Sequence, residues 1–344
     1  MTTPIIELQA INKIFQQRRQ TTQVLFDVSL QLMPQQAICL VGESGCGKTT
    51  TGKILAGLGK PTSGKVLFEG RDISTFTGNT YAEYRKAVQF IHQDPYASLN
   101  PVHTVYRTLS FPLFHHKLVK TEAEARARIL ELLTLVDLTP AIDIIDKFPH
   151  QLSGGQRQRV SIARALTVNP RLIVADEAVS MVDVSIRISL LNTLTDLQKN
   201  LGITFVFITH DLALARYFSW EGEIAVMYLG RIIEQGHARA ITETPQHPYT
   251  KALISALPEP DPDLTRNKER LQLRSENIPS LANLPSGCPF HPRCPAQFFV
   301  PGVCERHRPE LSPTAISKTL AACHVTAETV HHAEALAATS VKAV

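Results

Sequence analysis

The octapeptide Gly42-Glu43-Ser44-Gly45-Cys46-Gly47-Lys48-Thr49 follows directly on an apolar run, Ala37-Ile38-Cys39-Leu40-Val41. This junction constrains the fold more than any other stretch. It matches the G-x-x-x-x-G-K-[ST] pattern of a phosphate-binding loop. Glycines let the backbone curl so that several N–H groups converge on an anion. A helix begun straight after the loop aims its positive end at the same point. An apolar run without alternation fits a strand buried on both faces, and so a parallel sheet. Lys48 is placed to reach the β- and γ-phosphates of a nucleotide and the Thr49 hydroxyl to ligate Mg²⁺.

The flanking sequence supports an α/β fold. In Val24–Leu32, positions 24, 26, 28, 30 and 32 are apolar, which predicts a half-buried strand with those residues on one face. Gly64–Gly70 reads as another strand bounded by turns. From about residue 101 to 167 the pattern turns helical. There Thr121 and Glu124 predict a capping box, followed by Ile129, Leu132, Leu133 and Val136 at helical spacing. Leu172–Ala175 and Ile203–Ile208 are further buried strands, separated by a helix over Ile186–Asn200.

Two more stretches carry chemistry. The strand Leu172–Ala175 ends in Asp176-Glu177. Asp176 is placed to hold Mg²⁺, directly or through water, and Glu177 to polarise an attacking water. Phosphoryl transfer needs such in-line positioning and charge neutralisation more than covalent help. In Leu152-Ser153-Gly154-Gly155-Gln156, Ser153 and Gln156 form a capping box. The two glycines leave helix N-terminal N–H groups bare, which makes a second phosphate-binding end. One nucleotide uses both ends only if the chain folds back or a second subunit supplies one of them.

With these residues in place the chain resembles the ABC ATPase family, over about residues 5–255. Gly42–Thr50 looks like the Walker A loop, with Gly42, Ser44, Gly45, Cys46, Gly47, Lys48, Thr49 and Thr50 at the nucleotide. Gln93 is similar to the Q-loop glutamine, and Leu152–Gln156 to the LSGGQ signature. Asp176 and Glu177 resemble the Walker B pair, Asp183 the D-loop aspartate, His210 the switch histidine and Phe15 the aromatic that stacks on adenine. The resemblance implies a P-loop ABC-type nucleotide-binding domain with a helical subdomain and an antiparallel β subdomain. It also implies a head-to-tail dimer with ATP between Walker loop and partner signature. Glu177 would be the catalytic base, His210 a γ-phosphate contact, and Gln93 a link from Mg²⁺ and water to the transmembrane partner. Two departures stand out. Ala178 replaces the usual proline, and Ser180-Met181-Val182-Asp183 replaces Ser-Ala-Leu-Asp, while the reactive groups remain.

Three further stretches resemble the oligopeptide and dipeptide importers within that family: Gln93–Pro101, His247-Pro248-Tyr249-Thr250, and Ser286–Pro295. The expectation is uptake of a peptide, with two permease subunits, an extracytoplasmic binding protein and a second, non-identical ATPase subunit. Nickel complexes or oligosaccharides are alternative cargoes. A soluble ATP switch on nucleic acid or ribosomes, or a catalytically weak regulatory subunit, are alternative roles. Chains of the switch kind carry long coiled coils or a second Walker loop, and this one has neither. With 35 basic and 31 acidic residues, bulk charge gives no reason to expect nucleic acid.

No run of about 18 or more apolar residues occurs, and the N-terminus lacks a basic stretch followed by an apolar one. The chain is therefore expected on the cytoplasmic face of the inner membrane, held there by its permease. Prolines at 258, 260 and 262 mark a linker to an extension over residues 256–324, with a disordered tail over 325–344. The extension holds Cys288, Cys294, Cys304 and Cys323 at C-x5-C-x9-C-x18-C spacing. Paired C-x2-C knuckles are absent, so four thiolates suit an iron–sulfur cluster, zinc or free thiols. The resemblance favours a [4Fe–4S] cluster; His291, His307 and His324 could substitute as ligands, although a pocket-lining or plain surface role is the expectation for each.

Overall fold

The computed structural model describes residues 3–17, 20–257, 270–314 and 319–326. β1 (Ile6–Gln17) and β2 (Gln20–Leu32) open the chain as an antiparallel pair. β3 (Ala37–Val41) runs into the glycine loop and then α1 (Lys48–Leu55). β4 (Ser63–Phe68) and β5 (Arg71–Asp72) return to the first pair and complete a four-stranded sheet, β2-β1-β4-β5. α2 (Gly78–Ala87) and β6 (Val88–Ile91) follow. The helical stretch holds α3 (Pro95–Ser98), α4 (Val105–His115), α5 (Glu122–Leu135), α6 (Ile142–Ile145) and α7 (Gly154–Leu166), so it begins earlier than residue 101. β7 (Leu172–Asp176), α8 (Val184–Leu201), β8 (Thr204–Thr209), α9 (Leu212–Phe218) and β9 (Glu223–Tyr228) then alternate. β10 (Arg231–His237), α10 (Ala238–Glu243) and α11 (Pro248–Ser255) come next, and β11 (Ser312–Pro313) and β12 (Leu320–Ala321) last.

The main sheet has the order β11-β12-β10-β9-β3-β8-β7-β6. Its centre is parallel: β3 pairs with β8 and β9, and β7 with β6 and β8. The unbroken apolar runs are explained by two cores, one on each face. Cys39 and Val41, Ile173 and Ala175, and Phe205 and Phe207 enter a core shared with α4, α5 and α7. Their alternates, Ile38 and Leu40, Leu172 and Val174, Val206 and Ile208, enter a core shared with β1, β2 and α1. A sheet covered on both faces needs no polar alternation.

Two local expectations are corrected. In β2 the buried side chains are Leu25, Val28, Leu30 and Leu32, while Val24 and Phe26 are only partly buried. The β1–β2 register shifts near this point and Asp27 has φ 51°, so a bulge resets the alternation. At α5 the Thr121 hydroxyl accepts the Glu124 N–H as expected, but the Glu124 carboxylate takes the N–H of Lys120 instead of Thr121.

The C-terminal extension is built into the same body. β12 adds antiparallel to β10, and Cys288, Phe290, Cys294 and Cys304 lie in the core that holds α7. Most of the expected linker, from Pro258 on, and the tail beyond Thr326 fall outside the described residues. Among the described residues no helix is long and apolar enough to cross a membrane.

Candidate functional site

The sheet gathers its reactive side chains at one edge. The loop from Gly42 leaves the end of β3, Gln93 lies just past β6, Glu177 just past β7 and His210 just past β8. Carboxyl ends of parallel strands are where ligands bind in open α/β sheets. In the loop Gly47 has φ 106°, and a Cβ there would lie 2.7 Å from Leu25 Cδ2, so only glycine fits. Lys48 is buried at the start of α1, where its ammonium donates to the carbonyls of Gly42 (2.7 Å) and Glu43 (3.1 Å). Ser44, Gly45 and Thr49 remain exposed, with Thr50 half-buried. The Cys46 thiol is buried; burial pushes its pKa up, against the nearby Lys48 charge.

The two strand-end carboxylates differ. Asp176 is buried and accepts the Thr49 hydroxyl at 3.0 Å. Burial raises its pKa above the usual carboxylate value; the Thr49 hydrogen bond works against this, and the adjacent Glu177 charge adds to it. Glu177 takes φ 46°, and its N–H donates to the Ile208 carbonyl at 2.9 Å, which ties it to β8. Its carboxylate accepts from the Gln93 amide (2.8 Å) and meets His210 Nδ1 at 3.2 Å. Gln93, Glu177 and His210, distant in sequence, thus form one hydrogen-bonded row beside the Thr49–Asp176 pair. The Glu177 side chain is 16% exposed and that of His210 54%, so the row opens to solvent.

The helix end expected to bind a second phosphate makes its own contacts. Ser153 caps α7 by accepting the Gln156 N–H (3.3 Å), while the Gln156 side chain accepts the Ser153 N–H (3.0 Å), forming the expected box. Gly155 packs against α8, where a Cβ would meet Ile186 Cγ2 at 2.9 Å, and Gly154 lies beside the Met181 carbonyl. Among the described residues no hydrogen bond joins Ser153, Gly154, Gly155 or Gln156 to the loop at 42–50. Asp183 is exposed as the residue before α8. Phe15 lies on β1, 44% exposed, with the Lys13 ammonium 4.9 Å from its ring centroid.

The four C-terminal cysteines are all buried, and none of them is in a disulfide. The Cys288 N–H donates to the Cys304 carbonyl at 2.8 Å, bringing two of the segments together. Burial, chiefly, pushes Cys288 up to about 11 and Cys323 up to about 12, and raises Cys294 and Cys304 as well. Neighbouring thiols add to this: Cys294 feels Cys323, Cys288 and Cys304. Among the described residues no group of three or more His, Cys, Asp or Glu side chains could hold a metal ion. His291 meets the Cys288 carbonyl at 3.0 Å and His324 the His307 carbonyl at 2.9 Å, so both rings already have backbone partners.

Sequence reasoning assigned no role to Glu43, Tyr249 or Arg293, although all three lie inside the quoted motifs. Arg293 reaches the phosphate loop at Glu43. The signal was a charged residue inside a cysteine motif that needs no charge.

The ABC transporter family model matches residues 25–180, and that for the oligopeptide/dipeptide transporter C-terminal region matches residues 233–298. The chain is 45% identical over 293 residues to a putative peptide import ATP-binding protein of Brucella ovis, covering 85% of this chain and 90% of that one. It is 39% identical over 329 residues to the dipeptide transport ATP-binding protein DppF of Haemophilus influenzae, covering 94% and 97%. Among solved structures it superposes with a TM-score of 0.61 on the ATP-binding cassette MJ0796, described as a dimer in a post-hydrolysis state bound to ADP and Pi. That likeness is 29% identical in sequence and covers 68% of this chain and 99% of the other.

Proposed function

Because the chain belongs to the ABC transporter ATP-binding proteins of the oligopeptide/dipeptide importer family and is the ATPase of such a system, we propose how its residues divide the work. The backbone N–H groups of Gly42–Thr50 and the Lys48 ammonium hold the phosphates of ATP. The Thr49 hydroxyl and Asp176 carboxylate, hard oxygen donors 3.0 Å apart, suit Mg²⁺, and Gln93 is a third oxygen donor for it. Bound there, Mg²⁺ would neutralise phosphate charge. Glu177 is the general base for the attacking water. Gln93 and His210 hold its carboxylate from two sides, and His210 is free to turn its exposed ring towards a γ-phosphate. The observation that carries the reading is the Gln93–Glu177–His210 row set beside the phosphate loop.

The family implies a dimer partner and permease components. We take the partner's Ser153–Gln156 equivalent to close each site, since this chain's own signature is not bonded to its own loop. The stacking of Phe15 on adenine, the contribution of Asp183 across the dimer, and a partner that is a related but different ATPase belong to the same proposal. So do an extracytoplasmic binding protein and a place on the cytoplasmic face of the inner membrane. No nucleic-acid partner is expected.

The proposal extends to a [4Fe–4S] cluster at Cys288, Cys294, Cys304 and Cys323. What supports it is four buried thiols, of which Cys288, Cys294 and Cys323 each feel the charge of others in the set, a donor set suited to an iron–sulfur cluster.

Glu177→Gln tests the site in the assembled importer. It should bind ATP as wild type does, stop hydrolysis at this chain's site and accumulate an ATP-bound closed dimer. Loss of ATP affinity, or unchanged turnover, would contradict the role given to Glu177.

A further inference from the structure

Glu43, the second residue of the phosphate loop, is held at three points, two of them by the C-terminal part of the chain. Its carboxylate accepts a two-pronged pair of hydrogen bonds from Arg293, Nη1 to Oε2 at 2.7 Å and Nη2 to Oε1 at 2.9 Å. Its N–H donates to the Tyr249 hydroxyl at 3.0 Å. Its carbonyl accepts from the Lys48 ammonium at 3.1 Å.

The clamp is rigid for reasons visible in its surroundings. The Arg293 side chain is 4% exposed and that of Glu43 24%, so solvent screens the pair weakly. Its guanidinium lies near the Tyr228 and Phe290 rings, and Nη1 also reaches the Tyr228 hydroxyl at 3.4 Å. Tyr228, Tyr249 and Phe290 are each fully buried and pack as a trio with ring centroids 4.7–5.4 Å apart. Arg293 is fixed from behind by a tight turn, in which its own N–H and that of Cys294 both donate to the Phe290 carbonyl. Tyr249 is fixed at the start of α11, where its N–H donates to His247 Nδ1 at 3.0 Å. A two-pronged guanidinium–carboxylate pair fixes orientation as well as distance.

We propose that Arg293, with Tyr249, is a positioning residue for the phosphate loop: through Glu43 it sets the orientation of the peptides around residues 42–44 and the resting place of Lys48. The extension bearing the four cysteines thereby takes part in nucleotide binding without touching nucleotide. A loop ordered in advance costs ATP less on binding than one that must be ordered by it. This rests on the ATP-binding reading of the loop given above.

The test uses the full chain with its partners, MgATP as the probe, and the variants Arg293→Met, Arg293→Lys, Glu43→Gln and the double variant Glu43→Gln/Arg293→Met. Glu43→Gln keeps the N–H to Tyr249 and the carbonyl to Lys48 but loses the charge and one of the two oxygens that accept from Arg293, so it remains informative if Arg293→Met folds poorly. Expected is a rise of about tenfold in Kd and KM for ATP in either single neutral variant, with kcat moved far less. Arg293→Lys should recover part of the loss, and the double variant should be no worse than the worse single one. A purely structural role would lower Tm and kcat together and leave the KM of the folded fraction unchanged. Wild-type ATP affinity in folded Glu43→Gln and Arg293→Met, or additive losses in the double variant, would overturn the inference. Lys48→Ala separates the two levels. If it binds ATP normally, the reading of the loop fails. If it loses ATP while the Glu43 and Arg293 variants do not, only the clamp fails.

Discussion

Glu234 offers a quantitative test of how the C-terminal elements are fastened to the main sheet. It lies on β10, fully buried, and its carboxylate accepts the N–H groups of Gln246 (2.6 Å) and His247 (3.1 Å) just before α11. Burial raises its pKa from 4.5 to about 7, and Thr250, the backbone N–H groups and Lys251 offset only part of that. The native protein therefore holds the Glu234 proton more tightly than the unfolded chain does. The resulting stability is complete below about pH 4.5 and is lost as pH rises towards 7. At about 1.4 kcal/mol per pH unit the whole effect is about 3 kcal/mol. Even half of that moves Tm by about 2 °C in a chain of this size. His247 pulls the other way. Burial holds its imidazole down to about 3, so its contribution grows between pH 3 and 6.5 and partly masks that of Glu234 in the wild type. Comparison with Glu234→Gln removes the mask. The amide oxygen can still accept one N–H, and facing the other with NH₂ costs a fixed amount at every pH. The Tm of Glu234→Gln relative to wild type, read by thermal unfolding at matched ionic strength, should rise by several degrees between pH 5 and 8. A difference that stays constant over that range would refute the reasoning.

Arg159 is buried on α7 and bonds the Val136 carbonyl (2.6 Å), Asp137 (2.9 Å), Thr193 (2.9 Å) and Ser189 (2.8 Å), which ties the helical stretch to α8. Arg159→Met should lower stability in denaturant melts by about 3 kcal/mol, because several buried acceptors lose their donor together. Anaerobic purification should give a brown protein with about four irons per chain if the cysteines hold the cluster. Neither iron nor visible absorption would remove that part of the proposal.

How much was legible in the sequence depended on range. The phosphate loop, the box at Ser153 and Gln156, and the buried strands at 37–41 and 172–175 announce themselves because each is a local pattern with a local cause. The row of Gln93, Glu177 and His210 could be grouped only by resemblance, since it is the parallel order of β6, β7 and β8 that brings those strand ends together. The clamp on Glu43 was invisible for the same reason, its partner lying 250 positions away. The bulge at Asp27 escaped because alternation counts residues and cannot see a positive φ. Two-residue strands such as β11 and β12 have no period to read.

The pairing of Leu320 and Ala321 with Gln235 and Glu234 bears on what truncation would expose. A chain stopped after α11, where the motor's motifs run out, would uncover a row of unpaired peptide groups on β10. Such a bare rim invites pairing with another chain. The strand at Leu320–Ala321 is thus also a hem, and unpicking it would leave the fabric prone to fray.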